Sequence, residues 1–243
     1  SYELENYSTY KYYKYEIVNK GTTYYVCDIH AKAASPDSIA AQLVDINAGT
    51  DYGTKQNYVN PFGNSGETQK SYADAVIYEM HIRDWAKAFD GEGKFIELAE
   101  SEKFIAHLKE MEITHIQIVP MFDYAQVNSD KKYNWGYNPY HYNVPEGRYV
   151  KDMKDGMDAV NQLRQFIEAV HEAGIAINMD VVYNHTNGTG GGSLYDSTVP
   201  EYFYRLSNGS YSNGSGCGNE TASNHVMFKK YMIDSLKHWM LDY

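Results

Sequence analysis

The sequence is poor in cysteine and in positive charge, and it has no long apolar run. Its 243 residues include two cysteines, Cys27 and Cys217, without a CxxC pair or a His/Cys spacing that would predict a zinc site. The two cysteines fall in what the sequence pattern indicates are different domains, so we expect no disulfide between them. No stretch of 18 apolar residues is present, which predicts that no helix spans a membrane.

The deficit of lysine and arginine excludes a large class of partners. There are 21 of these residues against 32 aspartates and glutamates, which gives a formal net charge of −11. Because phosphate binding needs clustered lysine and arginine, we expect no nucleic-acid partner. The charge suits a neutral or cationic ligand, or serves solubility alone.

Tyrosine, in contrast, is abundant, with 25 copies. Its side chain combines a flat apolar face with a hydroxyl group, which suits sugars. A compositional bias of the lineage, without functional meaning, is the alternative. The chain begins with Ser1 instead of methionine and shows no signal peptide, so we interpret it as a processed, engineered or fragmentary chain.

The first part of the chain predicts β-structure followed by irregular structure. Residues 10–29 read YKYYKYEIVNKGTTYYVCDI, where alternating residues flank a turn at Asn19, Lys20 and Gly21, a pattern typical of a β-hairpin. Residues 30–73 are rich in turn residues and predict irregular structure ending in a linker. The character of the sequence changes at residue 74, so we expect one domain over 1–73 and another over 74–243.

From residue 74 onward, apolar runs alternate with helical patterns. Strands are expected within 74–85, 114–121 and 175–186. A helix over 101–111, with Ser101 as N-cap, has this predicted face: Phe104, Ile105, Leu108 and Met111. A second helix ends at Gly174 and has the face Leu163, Phe166, Ile167 and Val170. A third begins near Ser223 and has the face Phe228, Met232, Leu236, Trp239 and Met240.

Repeated β–α units predict a parallel sheet with right-handed crossovers. Long loops after the strands and short ones after the helices favour an α/β fold of the TIM-barrel type, in which the chemistry lies at the C-terminal ends of the strands. A doubly wound sheet is the alternative, but it usually carries a glycine-rich turn after its first strand. Here the first strand runs into HIRDW, residues 81–85, which favours the barrel.

Residues 133–149, YNWGYNPYHYNVPEGRY, crowd aromatic side chains among two prolines and two glycines. The prolines and glycines exclude a regular helix, so we expect an aromatic loop. Gly136 allows a tight turn, and Pro139 stiffens the residues after it. A rigid aromatic loop loses little entropy on binding, so it predicts the floor and wall of a ligand cleft. For Tyr140 and Tyr142, packing of the loop against the fold is an equal alternative.

The third predicted strand ends in DVVYNHT, residues 180–186. On an extended strand, Asp180, Val182 and Asn184 would face one way and Tyr183 and His185 the other. A histidine at the end of a barrel strand points into the loop face where ligands bind. The alternative is that these polar residues only cap a strand end and satisfy backbone groups.

DVVYNHT resembles the first signature region of the α-amylase superfamily of glycoside hydrolases. YNWGYNP, residues 133–139, is similar to the signature heptapeptide of type I pullulanases, and VIYEMHIRD, THIQIVPMFD, YNVPEGRY and NGSGCGNE resemble further pullulanase segments in the same order. The resemblance is close over 74–243 and implies the first three βα units of a catalytic (β/α)8 barrel. Residues 1–73 resemble the C-terminal part of a starch-binding-type β-sandwich module.

The resemblance implies a debranching enzyme that hydrolyses α-1,6-glucosidic links in pullulan, amylopectin and glycogen dextrins. It implies that His185 hydrogen-bonds the glucose at the cleaved link, that Tyr137 stacks on it, and that Asp180 lies beneath. Further residues are implied to bind substrate or shape the site without reacting: Asn134, Trp135, Asn138 and Asn219. No cofactor is required, although Asn184 occupies a position that ligates calcium in many α-amylases.

The resemblance also implies a retaining mechanism, with a nucleophilic carboxylate and a carboxylic acid about 5 Å apart. The nucleophile belongs to a GFRFD-like segment on the fourth strand, and no such segment occurs before Tyr243. We therefore expect both groups after Tyr243 and predict that this chain holds half a site and is inactive alone. The acids that match no catalytic position include Glu79, Asp84, Asp123, Glu146 and Asp180.

An incomplete barrel leaves strand edges unpaired, so we expect low stability or self-association through those edges. Two other functions stay open at this point. One is a non-catalytic α-glucan-binding protein, and the other is an isoamylase- or neopullulanase-like relative, against which YNWGYNP argues. The location is open between the bacterial cytoplasm and a secreted or cell-surface enzyme.

Overall fold

The computed structural model describes residues 10–47, 72–127 and 129–243, which form a mixed α/β structure. Most of the expected linker lies outside the described residues. The strands, numbered along the chain, are β1 (Tyr12–Tyr13), β2 (Tyr15–Asn19), β3 (Thr22–Val26), β4 (Ala41–Gln42), β5 (Ile77–Met80), β6 (His115–Ile118), β7 (Phe122–Tyr124), β8 (Pro139–Pro145), β9 (Ala176–Met179), β10 (Leu206–Ser207) and β11 (Ser210–Tyr211). The helices are α1 (Ile82–Ala88), α2 (Phe95–Ala99), α3 (Glu102–Glu110), α4 (Gly156–Glu172), α5 (Leu194–Thr198) and α6 (Val226–Asp242). Short 3-10 turns lie at Pro36–Ser38, Tyr72–Asp74, Gly147–Tyr149 and Gly190–Gly192.

The predicted N-terminal hairpin is confirmed as β2 paired with β3. Asn19 lies opposite Thr22, and the two residues between them, Lys20 and Gly21, have φ angles of 48° and 78°. Two central residues with positive φ are what a tight hairpin turn requires, because that turn matches the right-handed twist of the strands.

The segment after the hairpin docks onto the rest of the chain through its backbone carbonyls. The carbonyl oxygen of Asp28 accepts a hydrogen bond from His141 Nε2 at 2.9 Å. That of Ile29 accepts from Asn143 Nδ2 at 3.1 Å and from Tyr231 Oη at 3.0 Å. Apolar residues of this segment are buried in the same hydrophobic cluster as β8 and α6, among them Val26, Cys27, Ile29, Ala31, Ala34 and Ala41.

Three parallel strands form the sheet of the C-terminal part. β5, β6 and β9 are neighbours in chain order, with Met80 opposite Ile118 and Ile118 opposite Met179. Helices α1 to α3 separate the first two strands, and α4 precedes the third, as repeated β–α units predict. Within the described residues, β5 and β9 are the edges of this sheet.

The first predicted strand, residues 74–85, is wrong in its second half. β5 ends at Met80, and the polar run after it is helix α1. His81 caps this helix by accepting a hydrogen bond from the amide of Arg83 at 3.1 Å. Ile82 and Ala86 are buried four residues apart, a helical period that a seven-residue helix barely displays in sequence.

The third predicted strand, residues 175–186, is also too long, because β9 ends at Met179. The amide of Asp180 still bonds to the carbonyl of Ile118 at 2.9 Å, but the chain then leaves the sheet. Hydrogen bonds from loops replace the ladder; for example, Tyr142 Oη donates to the carbonyl of His185 at 2.5 Å. The alternating directions expected for residues 180–186 therefore do not apply.

The aromatic loop expected over residues 133–149 is a loop only in its first half. Pro139–Pro145 form β8, which pairs antiparallel with β7 and carries register shifts opposite Asp123. Nearly every residue of β8 is buried. A strand buried on both faces shows no polar–apolar alternation, which is why the pattern did not reveal it.

The predictions for α3 and α4, whose buried faces consist mainly of apolar side chains, are largely confirmed. Ser101 Oγ caps α3 at 3.2 Å from the amide of Phe104, and on its predicted face Phe104 and Leu108 are buried while Met111, beyond the last turn, is exposed. The whole predicted face of α4 is buried, and Gly174 beyond its end has a φ angle of 79°.

The predicted face of α6 is confirmed at Phe228 and Trp239 and wrong at Leu236 and Met240. Leu236 and Met240 are exposed, and the residues that are buried on this helix are Phe228, Tyr231, Ser235, His238 and Trp239. Hydrogen bonds decide the orientation, since His238 Nε2 and Trp239 Nε1 donate to backbone carbonyls of β8 at 3.0 Å and 2.8 Å. Apolar periodicity alone could not identify a face built from polar-tipped side chains.

Two further expectations concern single features of the chain. Cys27 is buried, Cys217 is exposed, and both are free thiols. Among the helices that the structure describes, none is long and apolar enough to cross a bilayer.

Arg164 ties three parts of the chain together from a buried position on α4. Its guanidinium donates to the carbonyl of Ile46 at 2.6 Å, to the side chain of Asn47 at 3.1 Å and to the carbonyl of Asp242 at 3.0 Å. These groups belong to the N-terminal segment and to the end of α6. A buried charge is tolerated here because hydrogen-bond acceptors surround it.

We expect Arg164→Leu to lower the free energy of unfolding by about 2–4 kcal/mol, since buried carbonyls lose a charged donor. Urea unfolding followed by circular dichroism measures this. The control is Lys103→Leu, which removes a cation from a side chain that is 77% exposed and should change stability by less than about 0.5 kcal/mol. Equal effects of the two substitutions would contradict the role given to Arg164.

Candidate functional site

The segment YNWGYNP, residues 133–139, lies at the C-terminal ends of the three parallel strands. His81, directly after β5, contacts the carbonyl of Asn134 at 2.9 Å. Asp180, directly after β9, accepts a hydrogen bond from Tyr137 Oη at 2.7 Å. Between them, Pro120 after β6 approaches Gly136. The chain therefore brings one aromatic segment into contact with the ends of all three strands, the edge at which α/β proteins bind ligands.

Gly136 makes the turn at the centre of this segment. Its φ angle is 87°, and a Cβ atom at this position would lie 2.7 Å from the carbonyl oxygen of Pro120. Asn134 Oδ1 accepts a hydrogen bond from the amide of Gly136 at 2.9 Å, which closes an Asx turn. Only glycine fits a left-handed backbone pressed this closely against another chain segment.

The turn presents three aromatic rings to solvent. Tyr133, Trp135 and Tyr137 are 42%, 55% and 39% exposed, so a ligand can reach all three. Tyr133 and Trp135 meet edge to face with centroids 5.5 Å apart. Asp84 accepts a hydrogen bond from Tyr133 Oη at 2.8 Å, which anchors this ring.

Asp180 fixes the ring of Tyr137 through its carboxylate. Burial and this hydrogen bond raise the pKa of Tyr137, so the phenol stays protonated and donates at any physiological pH. Asp180 itself is half-buried.

His185 is 6% exposed and both of its ring nitrogens are engaged within the chain. Nε2 donates to the carbonyl of Tyr137 at 2.8 Å, and Nδ1 lies 3.0 Å from Asn184 Oδ1. In this arrangement the imidazole holds the backbone that carries the Tyr137 ring. The expected hydrogen bond from His185 to a sugar would require one of these contacts to open.

The three predicted asparagines are placed to hold loops in position. Asn134 Nδ2 donates to the side chain of Gln126 at 2.7 Å, and Asn138 Nδ2 donates to the carbonyl of Ala125 at 3.2 Å. Asn219 makes two bonds to the backbone of one residue, Thr186, at 3.0 Å and 2.8 Å. All of these bonds lie between loops at the same end of the sheet.

Tyr140 and Tyr142 take no part in the exposed surface. Tyr142 is fully buried, and Tyr140 packs against the same core. Of the two roles that were open for these residues, packing of the segment against the fold is the one observed.

Asn184 does not fit a calcium ion. Its side-chain oxygen lies against His185, and its carbonyl accepts from the amide of Thr221 at 3.0 Å. Calcium takes six to eight oxygen ligands, usually including carboxylates. In the ranges that the structure describes, no group of three or more histidine, cysteine, aspartate or glutamate side chains is placed to hold a metal ion.

His81 is the site residue that the sequence analysis missed. It is 5% exposed and stacks on Tyr133 with ring centroids 5.0 Å apart. The available signal was its place at the end of the first parallel strand, the same reasoning that singled out His185. The extension of the first predicted strand to residue 85 hid that place.

Two carboxyl groups lie buried beneath the aromatic segment. Glu146 accepts hydrogen bonds from the amides of Tyr124 and Arg148 at 3.1 Å and 2.7 Å. Burial, followed by the proximity of Asp123, raises the pKa of Glu146 well above its ordinary value. Burial likewise raises the pKa of Asp123 to about 7. Through its bond to the amide of Tyr124, Glu146 ties the end of β8 to β7.

Comparisons with known proteins relate the chain to pullulanases and to an isoamylase. No known family model matches it. It is 37% identical over 186 residues to a pullulanase from Bacillus subtilis, a match that covers 70% of this chain and 26% of the relative. It is 32% identical over 190 residues to isoamylase 3 of Oryza sativa, which covers 70% of this chain and 24% of that protein.

The structural comparison covers nearly the whole chain. A mutant pullulanase from Paenibacillus barengoltzii, solved with maltotetraose, superposes with a TM-score of 0.86 and 31% identity over 96% of this chain. The match takes in 38% of that structure. The chain thus spans well under half the length of the relatives that it matches.

The buried pair Asp123 and Glu146 predicts that stability falls as pH rises. Both have folded-state pKa values above the ordinary ones, so their stabilising effect is complete at acid pH and is lost as pH rises through the folded values, near 7 for Asp123. We expect the urea midpoint to fall as pH rises from about 4, the ordinary carboxyl value, to about 7, the folded value of Asp123.

Asp123→Asn should flatten this dependence, because the amide stays neutral. Asp90→Asn is the matched control, since the side chain of Asp90 is 88% exposed. A pH profile of Asp123→Asn that parallels the wild-type profile would contradict the assignment.

Proposed function

Because the chain matches pullulanase structure over 96% of its length, we propose that it is part of a debranching enzyme that hydrolyses α-1,6-glucosidic links. The proposed substrates are pullulan, amylopectin and glycogen dextrins. The observation that carries the proposal is the aromatic segment at the ends of the three strands, with exposed rings at Tyr133, Trp135 and Tyr137. An acidic chain with an exposed aromatic surface suits a neutral polyhydroxyl ligand.

We propose that the parallel strands β5, β6 and β9 are the first three strands of a (β/α)8 barrel. Their order along the chain supports this, because successive strands of a barrel are neighbours. Residues 1–73 would belong to a β-sandwich module that precedes the barrel, and the hairpin β2–β3 supports strand structure there.

In the proposed site, the face of Tyr137 stacks on the apolar face of a glucose ring. Trp135 extends this surface, and Asp180 fixes the orientation of the Tyr137 ring by accepting the hydrogen bond from its hydroxyl group. His185 positions Tyr137 from behind, and opening of its bond to Asn184 would free Nδ1 for a sugar hydroxyl. Asn134, Asn138 and Asn219 fix the loops that carry these groups.

We propose that hydrolysis proceeds with retention and requires carboxyl groups other than those that the described part of the chain places near the aromatic segment. A retaining pair stands about 5 Å apart across the scissile bond. Asp84 and Asp180 each accept a hydrogen bond from a tyrosine, and Asp123 and Glu146 are buried under the segment. The chain alone would therefore bind α-glucan without cleaving it. This chemistry needs no cofactor.

Isoamylase activity is the second candidate, because rice isoamylase 3 is 32% identical over 190 residues. The YNWGYNP segment favours pullulanase.

The strands β5 and β9, which are the edges of the parallel sheet in the described residues, support a further proposal, that the isolated chain self-associates through them.

Tyr137→Ala should weaken binding of maltotetraose to the chain by about tenfold, because a stacked ring at the centre of a site is a typical hot spot. Tyr137→Phe keeps the ring and should lose less. Tyr25→Ala is the matched control, since Tyr25 is 63% exposed on the distant hairpin. Isothermal titration calorimetry measures the affinities. Equal affinity of Tyr137→Ala and Tyr25→Ala would remove Tyr137 from the site.

The purified chain should release no maltotriose from pullulan, even at high protein concentration. A hybrid in which residues 74–243 replace the matching part of Bacillus subtilis pullulanase should release it. Comparing pullulan with amylopectin as substrates of the hybrid separates pullulanase from isoamylase specificity. Hydrolysis by the chain alone would show that its own carboxyl groups suffice.

A further inference from the structure

His81 joins β5 to α1 and makes two hydrogen bonds with opposite requirements. Its Nδ1 accepts from the amide of Arg83 at 3.1 Å, which demands an unprotonated nitrogen. Its Nε2 lies 2.9 Å from the carbonyl oxygen of Asn134, which demands an N–H group. Because a carbonyl only accepts and an amide N–H only donates, both bonds form together only in the neutral, Nε2-protonated tautomer.

We propose that His81, as the Nε2-protonated tautomer, is a positioning residue for α-glucan binding, a role that rests on the function proposed above. It holds the start of the aromatic segment, as His185 holds the carbonyl of Tyr137 three residues later. The two bonded carbonyls, of Asn134 and Tyr137, flank Trp135 and Gly136 along the chain. The backbone of the turn that carries the exposed rings is therefore held at both ends. A segment fixed before the ligand arrives binds it at a lower entropic cost.

His81 also supports the segment through its ring. It stacks on Tyr133 at an interplanar angle of 27° and meets the edge of Tyr149 at 88°. Tyr149 Oη lies 3.2 Å from Nε2, so the donor is directed between a carbonyl and a hydroxyl oxygen. The side chain of Asn134 and the phenol of Tyr133 are separate anchors, so we expect loss of the His81 bond to weaken the segment without unfolding it.

Protonation of His81 would break the arrangement, because Nδ1–H would face the amide of Arg83. The charged and titratable groups around the ring are Arg83, Asp84, Tyr133, Arg148 and Tyr149. Burial lowers the pKa of His81 below 6.5, with Arg83 and Arg148 acting in the same direction and Asp84 opposing them. The bond from the Arg83 amide to Nδ1 is therefore present at neutral pH and lost as pH falls through the lowered pKa, whereas Nε2–H can still donate to Asn134.

Two substitutions separate the two bonds of His81. Asparagine places an acceptor near the Nδ1 position and can cap α1, but it is too short to reach Asn134. Glutamine places an amide N–H near the Nε2 position and can reach Asn134, but it gives up the Nδ1 acceptor. His81→Asn thus keeps the cap without the contact to the segment, and His81→Gln does the reverse.

We expect His81→Asn to keep a nearly wild-type urea midpoint and to bind maltotetraose three- to tenfold more weakly at neutral pH. His81→Gln should have a lower midpoint and nearly wild-type affinity. The difference in urea midpoint between the wild-type chain and His81→Gln should shrink toward acid pH, because protonation removes the Nδ1 acceptor that glutamine already lacks. Urea unfolding at several pH values measures the midpoints, and titration calorimetry of the full chain measures the affinities.

Imidazole nitrogen chemical shifts supply a test that needs no glucan. They should report His81 as the neutral Nε2–H tautomer at pH 7, and an imidazolium or Nδ1–H form would overturn the proposal. Unchanged affinity of His81→Asn at every pH would overturn it too, with wild-type binding intact. If the wild-type chain itself fails to bind maltotetraose, the proposed function falls, and the role of His81 in glucan binding falls with it.

Discussion

Hydrogen bonds from buried imidazole N–H groups to backbone carbonyls hold this chain together where regular structure ends. His81 and His185 donate to the carbonyls of Asn134 and Tyr137, and His141 donates to that of Asp28. A carbonyl buried in irregular structure has no ladder or helix partner, and leaving it unpaired costs about 1–3 kcal/mol. Each imidazole supplies a donor on a rigid ring, so it satisfies the carbonyl and fixes its direction together.

These bonds make β8 the centre of the structure. The strand emerges from the aromatic segment, its residues His141 and Asn143 hold the N-terminal segment, and α6 donates to it from the other side. The exposed rings and the docked N-terminal segment therefore contact the same buried strand. The buried carboxyl groups of Asp123, in β7, and Glu146, directly after β8, lie in the same strand pair.

The sequence predicted those features whose cause is local or periodic. The hairpin turn at Lys20 and Gly21, the cap at Ser101 and the apolar face of α4 follow from single residues or from helical spacing. The boundaries of β5 and β9 did not follow, because polar residues at a strand end read equally as strand, helix or loop. His81 was missed for this reason. For the candidate site, the resemblance pointed to Tyr137, Asp180 and His185, which stays a prediction; the contacts that link them cross 43 and 48 residues, and only the fold brings them together.

The abundance of tyrosine has a structural origin more than a ligand-binding one. The buried tyrosines bond to one another or to nearby polar groups, as Tyr195 Oη does with Tyr231 Oη at 3.0 Å and Tyr183 Oη with Ser235 Oγ at 2.7 Å. A phenol can fill apolar space and still satisfy its hydroxyl, which allows a core beneath irregular loops to carry polar groups without penalty. Three rings of the aromatic segment face solvent, at Tyr133, Trp135 and Tyr137. The two tyrosines among them differ from the buried tyrosines only in the residues that surround them. Composition could therefore suggest a sugar-binding surface, but only the turn at Gly136, pressed against Pro120, decides which rings form it.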